Sequence, residues 1–163
     1  MEYYDTIAGG YKELYRQEQL KKYRLIQTHL KIREDETLLD VGCGTGLSCE
    51  VFMCKITGID QSIKMLRRIN NNSKNANFLQ ARGEALPFKD NIFDVIICVT
   101  AIHNFKDPKK ALWEMKRVGK KKGVITIMKK ARNANALNKS VQEVFSVKKI
   151  VTEDKDYLLF FGL

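Results

Sequence analysis

The chain has 163 residues, which fits one domain able to bury a sizeable core and leaves little room for a second. Hydrophobic residues make up 44% and charged residues 29%; no apolar run approaches the ~20 residues that span a bilayer, and Met1-Glu2-Tyr3-Tyr4-Asp5 lacks the basic and apolar regions of a signal peptide, so a cytoplasmic protein without a membrane partner is expected. The formal net charge of +10 suits polyanions such as RNA and equally serves solubility, while Cys43, Cys49, Cys54 and Cys98 form no C-x-x-C pair and, with only His29 and His103 for company, argue against zinc and read as buried hydrophobes.

In chain order the pattern alternates helix and strand, the signature of a mostly parallel sheet covered by helices. A helix is predicted over Tyr11 to Leu30, with Tyr11, Leu14 and Tyr15 on one face extended by Leu20, Tyr23 and Leu30. Thr37 to Val41 is a first strand that runs into Gly42-Cys43-Gly44-Thr45-Gly46, and a short helix follows from Leu47 to about Met53. Ile56 to Ile59 is a second strand ending at Asp60, Ser62 to Ile69 a helix, Asn70 to Asn77 a loop and Phe78 to Gln80 a third strand. Val95 to Val99 is apolar throughout, as a central strand should be. Asp107-Pro108 opens a helix with Ala111, Met115 and Val118 on one face. Val124 to Met128 is a fifth strand, Lys129 to Val144 reads as a connecting loop, and the runs Val144 to Val151 and Tyr157 to Phe161, parted by a polar turn, predict an antiparallel hairpin. The fold class expected is α/β: a doubly wound, mostly parallel seven-stranded sheet with an antiparallel C-terminal hairpin. The whole chain, 1–163, is expected to be one domain, with a helical cap (1–36), a ligand-binding core (37–128) and a C-terminal loop and hairpin (129–163).

The densest signal is Leu38-Leu39-Asp40-Val41-Gly42-Cys43-Gly44-Thr45-Gly46, which leaves a strand and opens a helix. Glycines there let the backbone turn sharply and approach a ligand closely, at the strand end where open α/β sheets bind nucleotides. The dinucleotide fingerprint is G-x-G-x-x-G; here the spacing is G-x-G-x-G, with Leu at position 47. Asp40 just ahead of the glycines suits a cationic ligand better than a phosphate. Asp60, ending the second strand, is placed to accept both hydroxyls of a ribose.

Together these segments resemble the class I S-adenosylmethionine (SAM)-dependent methyltransferases of the type that includes ubiquinone and menaquinone biosynthesis enzymes. The resemblance runs from about Tyr4 to Met128. It rests on Leu38 to Gly46, on Gly58-Ile59-Asp60-Gln61-Ser62, on Ala81-Arg82-Gly83-Glu84-Ala85-Leu86-Pro87-Phe88, and on the fourth-strand segment Phe93 to His103, in that order along the chain. It implies a Rossmann-like fold that binds SAM and releases S-adenosylhomocysteine. It places Gly42, Cys43, Gly44 and Gly46 along the methionine side of the cofactor and Asp40 toward its amino acid end. Asp60 takes the ribose, with Gln61 beside it. Gly83, Glu84 and Ala85 lie at the adenine edge, and Val99 and Thr100 lie under the transferred methyl. Met65 either packs on adenine or belongs to the core, and Tyr11 either closes over the cofactor or is a helix-face aromatic. Where the family often carries Asp, this chain has Arg82, which leaves the adenine amino group to backbone contacts from Gly83 and Glu84. A frequent His pair is here His103-Asn104, and the usual Pro-Gly-Gly is Lys121-Lys122-Gly123.

Methyl transfer rests largely on positioning and desolvation. A base is needed only when the nucleophile must lose a proton; His103 is the candidate, and its bland reading is a structural His after a strand. The acceptor is a small molecule or RNA. The basic residues Lys116, Arg117, Lys120, Lys121, Lys122, Lys129, Lys130, Arg132 and Lys139 fit phosphate contacts or a solvated helix end and loop. Gly46 to Glu50 faintly resembles ribosomal-RNA methyltransferases that work with an activator subunit. The alternative function is therefore a non-catalytic or partner-dependent subunit of an RNA or translation-factor modification complex.

Overall fold

The computed structural model describes residues 2–70 and 74–163, and the side chains from residue 12 onward. Helix α1 (Glu2–Leu30) leads into β1 (Thr37–Val41), followed by β2 (Lys55–Asp60), α2 (Ile63–Leu66), β3 (Ala76–Gln80), β4 (Phe93–Cys98), α3 (Pro108–Val118), β5 (Gly119–Met128), α4 (Ala134–Val144), β6 (Ser146–Thr152) and β7 (Asp156–Gly162). The strands form one seven-stranded sheet in the order β3-β2-β1-β4-β5-β7-β6. The first five are parallel, and β7 runs antiparallel to both β5 and β6.

The apolar strands take the centre because both of their faces are covered. Leu38, Leu39 and Val41 of β1 and Val95, Ile96, Ile97 and Cys98 of β4 are wholly buried. On one face Tyr23, Ile26 and Leu30 of α1 pack over Leu38, Val95, Ile97 and Leu158. On the other, Leu112 and Met115 of α3 and Leu137 and Val141 of α4 pack over Leu39, Ile96, Ile125 and Leu159. Chain order reverses between β1 and β4, so a crevice opens at their carboxyl ends, where α/β sheets hold ligands.

Several elements differ from the sequence reading. Ala134–Val144 is a helix and not a loop: Ala134, Leu137, Val141 and Val144 are buried at helical spacing beneath an otherwise polar surface. The third strand begins at Ala76, inside the asparagine-rich segment, because it pairs with β2 from Ile56 onward. The fifth begins at Gly119, so the lysine run lies in a strand. The fourth spans Phe93–Cys98, leaving Val99 just beyond it. The turn after the glycines is a single 3-10 turn, Leu47–Glu50, and the helix after Asp60 shrinks to Ile63–Leu66 with Ser62 as its N-cap. Leu14 and Tyr15 are not on the packed face of α1; they are exposed, and the buried stripe begins at Gln19 and Leu20.

Helix α3 starts as its sequence dictates. Asp107 Oδ1 accepts from the Lys110 N–H at 3.0 Å, and Pro108 occupies the first turn. Asp107→Ala is expected to cost about 1 kcal/mol, read as a lower urea midpoint with an unchanged slope.

Candidate active site

Gly42, Gly44 and Gly46 all lie in the left-handed region, with φ of 79°, 55° and 76°. The loop they form is pinned from β2. The Gly42 and Cys43 N–H groups donate to the Ile59 carbonyl at 2.8 and 2.9 Å. The Asp60 carboxylate accepts from the Gly44 N–H at 3.0 Å through Oδ2 and from the Ser62 N–H at 2.8 Å through Oδ1. Each oxygen keeps a lone pair directed elsewhere, so Asp60 is fixed in place and still able to accept.

A cavity of about 300 Å³ fills the crevice. Gly42, Cys43, Gly44, Asp60, Gln61, Met65, Gly83, Val99 and Thr100 line it. Asp40 and Gly46 do not reach its surface. Asp40 is wholly buried, and Gly46 backs onto Phe78 and Ile69. Glu84 and Ala85 line a neighbouring groove, and the Glu84 carboxylate turns away to accept from the Lys106 and Asp107 N–H groups at 2.9 and 3.2 Å. The Tyr11 side chain lies outside the described residues. His103 lines a second cavity, of about 740 Å³, that shares Tyr15, Gln19, Thr100 and Asn104 with the first.

Three α1 residues were missed as site residues: Tyr15, Gln19 and Tyr23 line the crevice at i, i+4 and i+8. That spacing was the available signal, but nothing local says which side of the sheet the helix covers. Phe105 was missed as well; its ring lies against both Gly42 and Gly83, and a Cβ on Gly83 would meet it at 2.8 Å.

The electrostatics of the crevice run against the charge of the chain. In a protein of net charge +10, no lysine or arginine among the described residues lines this cavity, whereas Asp60 does. Beneath the loop the Asp40 oxygens have no hydrogen-bond partner among the described residues. Burial raises the Asp40 pKa to about 7; the Asp60 charge adds to the rise, and the Ser48 hydroxyl, close but outside hydrogen-bonding geometry, opposes it. Burial, then Asp40, also raises Tyr23 well above the ordinary tyrosine value, and burial first and Asp40 second push the Cys43 thiol up. Cys43, Cys49, Cys54 and Cys98 are all free thiols. A glycine-lined crevice with Asp60 on its wall, Asp40 buried beneath it and no lining cation among the described residues suits a cationic nucleoside better than a pyrophosphate.

The family described as "Methyltransferase domain" matches residues 39–127, more than half of the chain. The chain belongs to the class I SAM-dependent methyltransferases. Its cofactor is SAM. The chain is similar to the demethylmenaquinone methyltransferase of Thermotoga maritima, 32% identical over 138 residues, which are 78% of this chain and 60% of that one. Among solved structures it is similar to a SAM-dependent methyltransferase from Aquifex aeolicus (TM-score 0.70, 21% identity, 90% of this chain and 88% of that one). It is also similar to a methyltransferase from Haloferax volcanii solved in complex with the Trm112 activator (TM-score 0.68, 16% identity, 81% and 84%). At those identities the likeness is one of fold. The chain spans between 40% and 60% of the lengths of the first four curated relatives it matches.

Proposed function

We propose that the protein transfers a methyl group from SAM, bound in the glycine-lined crevice, to a small acceptor that enters the adjoining cavity. The observation that carries this reading is the crevice itself: Asp60 on its wall and Asp40 buried beneath a left-handed glycine loop, with no lysine or arginine among the described residues in its lining although the chain is strongly basic. SAM supplies a methyl carbon on positively charged sulfur, already activated for displacement. Asp60 accepts from the ribose hydroxyls with the lone pairs its backbone bonds leave free. Gly42 and Gly44 let the chain lie against the methionine portion, and Asp40 attracts the ammonium end from below the loop. Met65, whose Cε would lie 3.4 Å from a Cβ on Gly44, and Phe105 flank the nucleoside. Gly83 offers backbone at the adenine edge, Thr100 stands where the two cavities join, and His103 waits on the acceptor side.

A small acceptor is favoured over RNA because much of the basic run is paired at the far edge of the sheet, only Lys129, Lys130 and Arg132 following the carboxyl end of β5. Lys121 and Lys122 reach Glu36 at 3.9 and 3.1 Å, and Arg117 binds Asp90 and Glu114 at 2.8 and 2.7 Å. These residues lie at the start of β5 and the end of α3, across the sheet from the carboxyl ends that form the site. Intact Asp40, Asp60 and glycine loop argue against a non-catalytic subunit. No described helix is long and apolar enough to cross a membrane. We read residues 1–163 as one catalytic unit, and the free thiols fit the reducing cytoplasm.

Calorimetric titration with SAM and S-adenosylhomocysteine tests the reading. Wild-type protein should bind both, and Asp60→Ala should weaken binding at least ~10-fold, about 1.4 kcal/mol, as expected for lost charge-assisted bonds. Equal affinity in the two proteins would overturn the assignment of Asp60.

A further inference from the structure

Thr100, on the wall shared by the two cavities, is held in a conformation it would not choose. It stands just beyond β4 at φ 55°, a left-handed angle that a β-branched residue rarely takes. Its N–H donates to Thr126 Oγ1 of β5 at 2.7 Å. Its Oγ1 accepts from Lys22 Nζ at 2.8 Å and donates to Gln19 Oε1 at 3.2 Å, both on α1. Lys22 is fixed in turn by Asp156 Oδ2 of β7 at 2.7 Å, in an ion pair whose side chains are only 11% and 6% exposed. Strain of this kind persists only where the surroundings over-determine it, and here three elements do so.

The chain of contacts has a direction. An ammonium can only donate, so the Thr100 oxygen accepts from Lys22 and has its one hydrogen left for Gln19. The Gln19 atom that meets Thr100 is therefore the carbonyl oxygen, which decides the orientation of the amide. Nε2, with two N–H donors, is the branch left over. It has no hydrogen-bond partner among the described residues, and it is not sealed in the interior as the partnerless oxygens of Gln27 and Asp40 are. Gln19 lines both the crevice and the adjoining cavity.

One group of SAM still lacks a partner in the crevice. Asp60 meets the ribose and Asp40 the ammonium, but the α-carboxylate needs donors, and no lysine or arginine among the described residues lines the crevice. The face of α1 that carries Gln19 lies at this end of the cofactor: Tyr23, one turn further along, lines the crevice and is close enough to Asp40 and Cys43 for their charges to raise its pKa.

We infer that the Gln19 amide donates to the α-carboxylate of SAM, and that Lys22, acting through Thr100, is the positioning residue that keeps the amide N–H groups turned to the cofactor. The inference rests on the methyltransferase reading above. A neutral amide bonds the carboxylate without placing a further positive charge beside the sulfonium, and it makes α1 part of the cofactor site.

Calorimetry with two forms of the cofactor tests this without an acceptor. Decarboxylated SAM keeps the nucleoside, the sulfonium and the ammonium and lacks only the carboxylate. Gln19→Leu should weaken SAM at least ~10-fold, as a lost bond to a charged group does, and decarboxylated SAM less than about twofold. Gln19→Glu keeps an oxygen for the Thr100 hydroxyl and so guards against misfolding; it should make decarboxylated SAM the tighter ligand, because two carboxylates would meet. Thr100→Val, and the double variant Lys22→Met/Asp156→Leu that leaves no unpaired buried charge, each free the amide to turn and should cut the preference for SAM over its decarboxylated form roughly threefold. A merely structural Gln19 would lower both affinities by the same factor, and that result in Gln19→Leu overturns the inference. An unchanged SAM affinity in Gln19→Leu also overturns it, and a preference unaltered in both Thr100→Val and the double variant overturns the part given to Lys22. Failure of wild-type protein to bind either form overturns instead the reading on which the inference rests.

Discussion

Asp40→Asn should make the cofactor-free protein more stable and its hold on SAM weaker. Asp40 is wholly buried, neither carboxylate oxygen has a partner, and burial raises its pKa from 3.8 to about 7. A carboxyl whose folded pKa lies above its unfolded value favours the fold fully below the unfolded value. That contribution is lost as pH rises from about 4 to about 7 and stays lost above. The gap between 3.8 and about 7 corresponds to about 4 kcal/mol of ceiling penalty at pH 8. An amide removes the charge but brings unmet polar groups of its own, at about 1–3 kcal/mol, so a net gain of about 2 kcal/mol is expected. In a chain of this size that is a rise of about 4–8 °C in melting temperature. The variant should be less stable than wild type toward pH 4, where Asp40 is neutral and only the amide's unmet groups count; its advantage should grow through pH 7 and be flat beyond it. SAM affinity should move the opposite way and fall at least ~10-fold, about 1.4 kcal/mol, because the charge that burdens the empty crevice is the one that meets the ammonium. Melting curves across pH and calorimetry at pH 8 check both halves. A variant no more stable than wild type at pH 8 would mean that the Asp40 carboxylate is not penalised by its burial and that its pKa is not raised in the fold.

This opposition also explains why the site was legible from sequence when much of its surroundings was not. A strand that must be buried on both faces reads as an unbroken apolar run, and a loop that must turn left-handed reads as glycines; β1, β4 and Gly42 to Gly46 carry those marks locally. Asp40 and Asp60 stand out because each is a charge at the end of an apolar strand. Helix α4 hides because it buries only one residue per turn amid asparagine, lysine and glutamine. The first half of β5 hides because Lys121 and Lys122 are held in a strand by Glu36 and Asp94, partners remote in the chain. The Lys22–Asp156 pair and the Tyr15, Gln19, Tyr23 stripe exist only once α1 has docked on the sheet. Tertiary contact, and not any local preference, decides which face of that helix looks into the crevice.

Gly42→Ala should be the most damaging single methyl that can be added at the site. At φ 79° an alanine is strained by about 1–2 kcal/mol. Its Cβ would also come to 2.5 Å from the Ala101 Cβ, with the Phe105 ring at 3.7 Å closing the other side. Overpacking of that kind costs about 1–3 kcal/mol. A total loss of about 3 kcal/mol is expected, a fall of about 6–12 °C in melting temperature, and SAM binding should fall below calorimetric detection as the loop is forced off the Ile59 carbonyl that holds it. The two costs can be separated. Ala101→Gly removes the methyl that the new Cβ strikes and leaves the backbone angle untouched, so in that background Gly42→Ala should cost about 1–2 kcal/mol, the strain alone. If the substitution costs the same in both backgrounds, the collision with Ala101 is not what makes glycine necessary, and the left-handed turn by itself fixes the residue at the head of the loop.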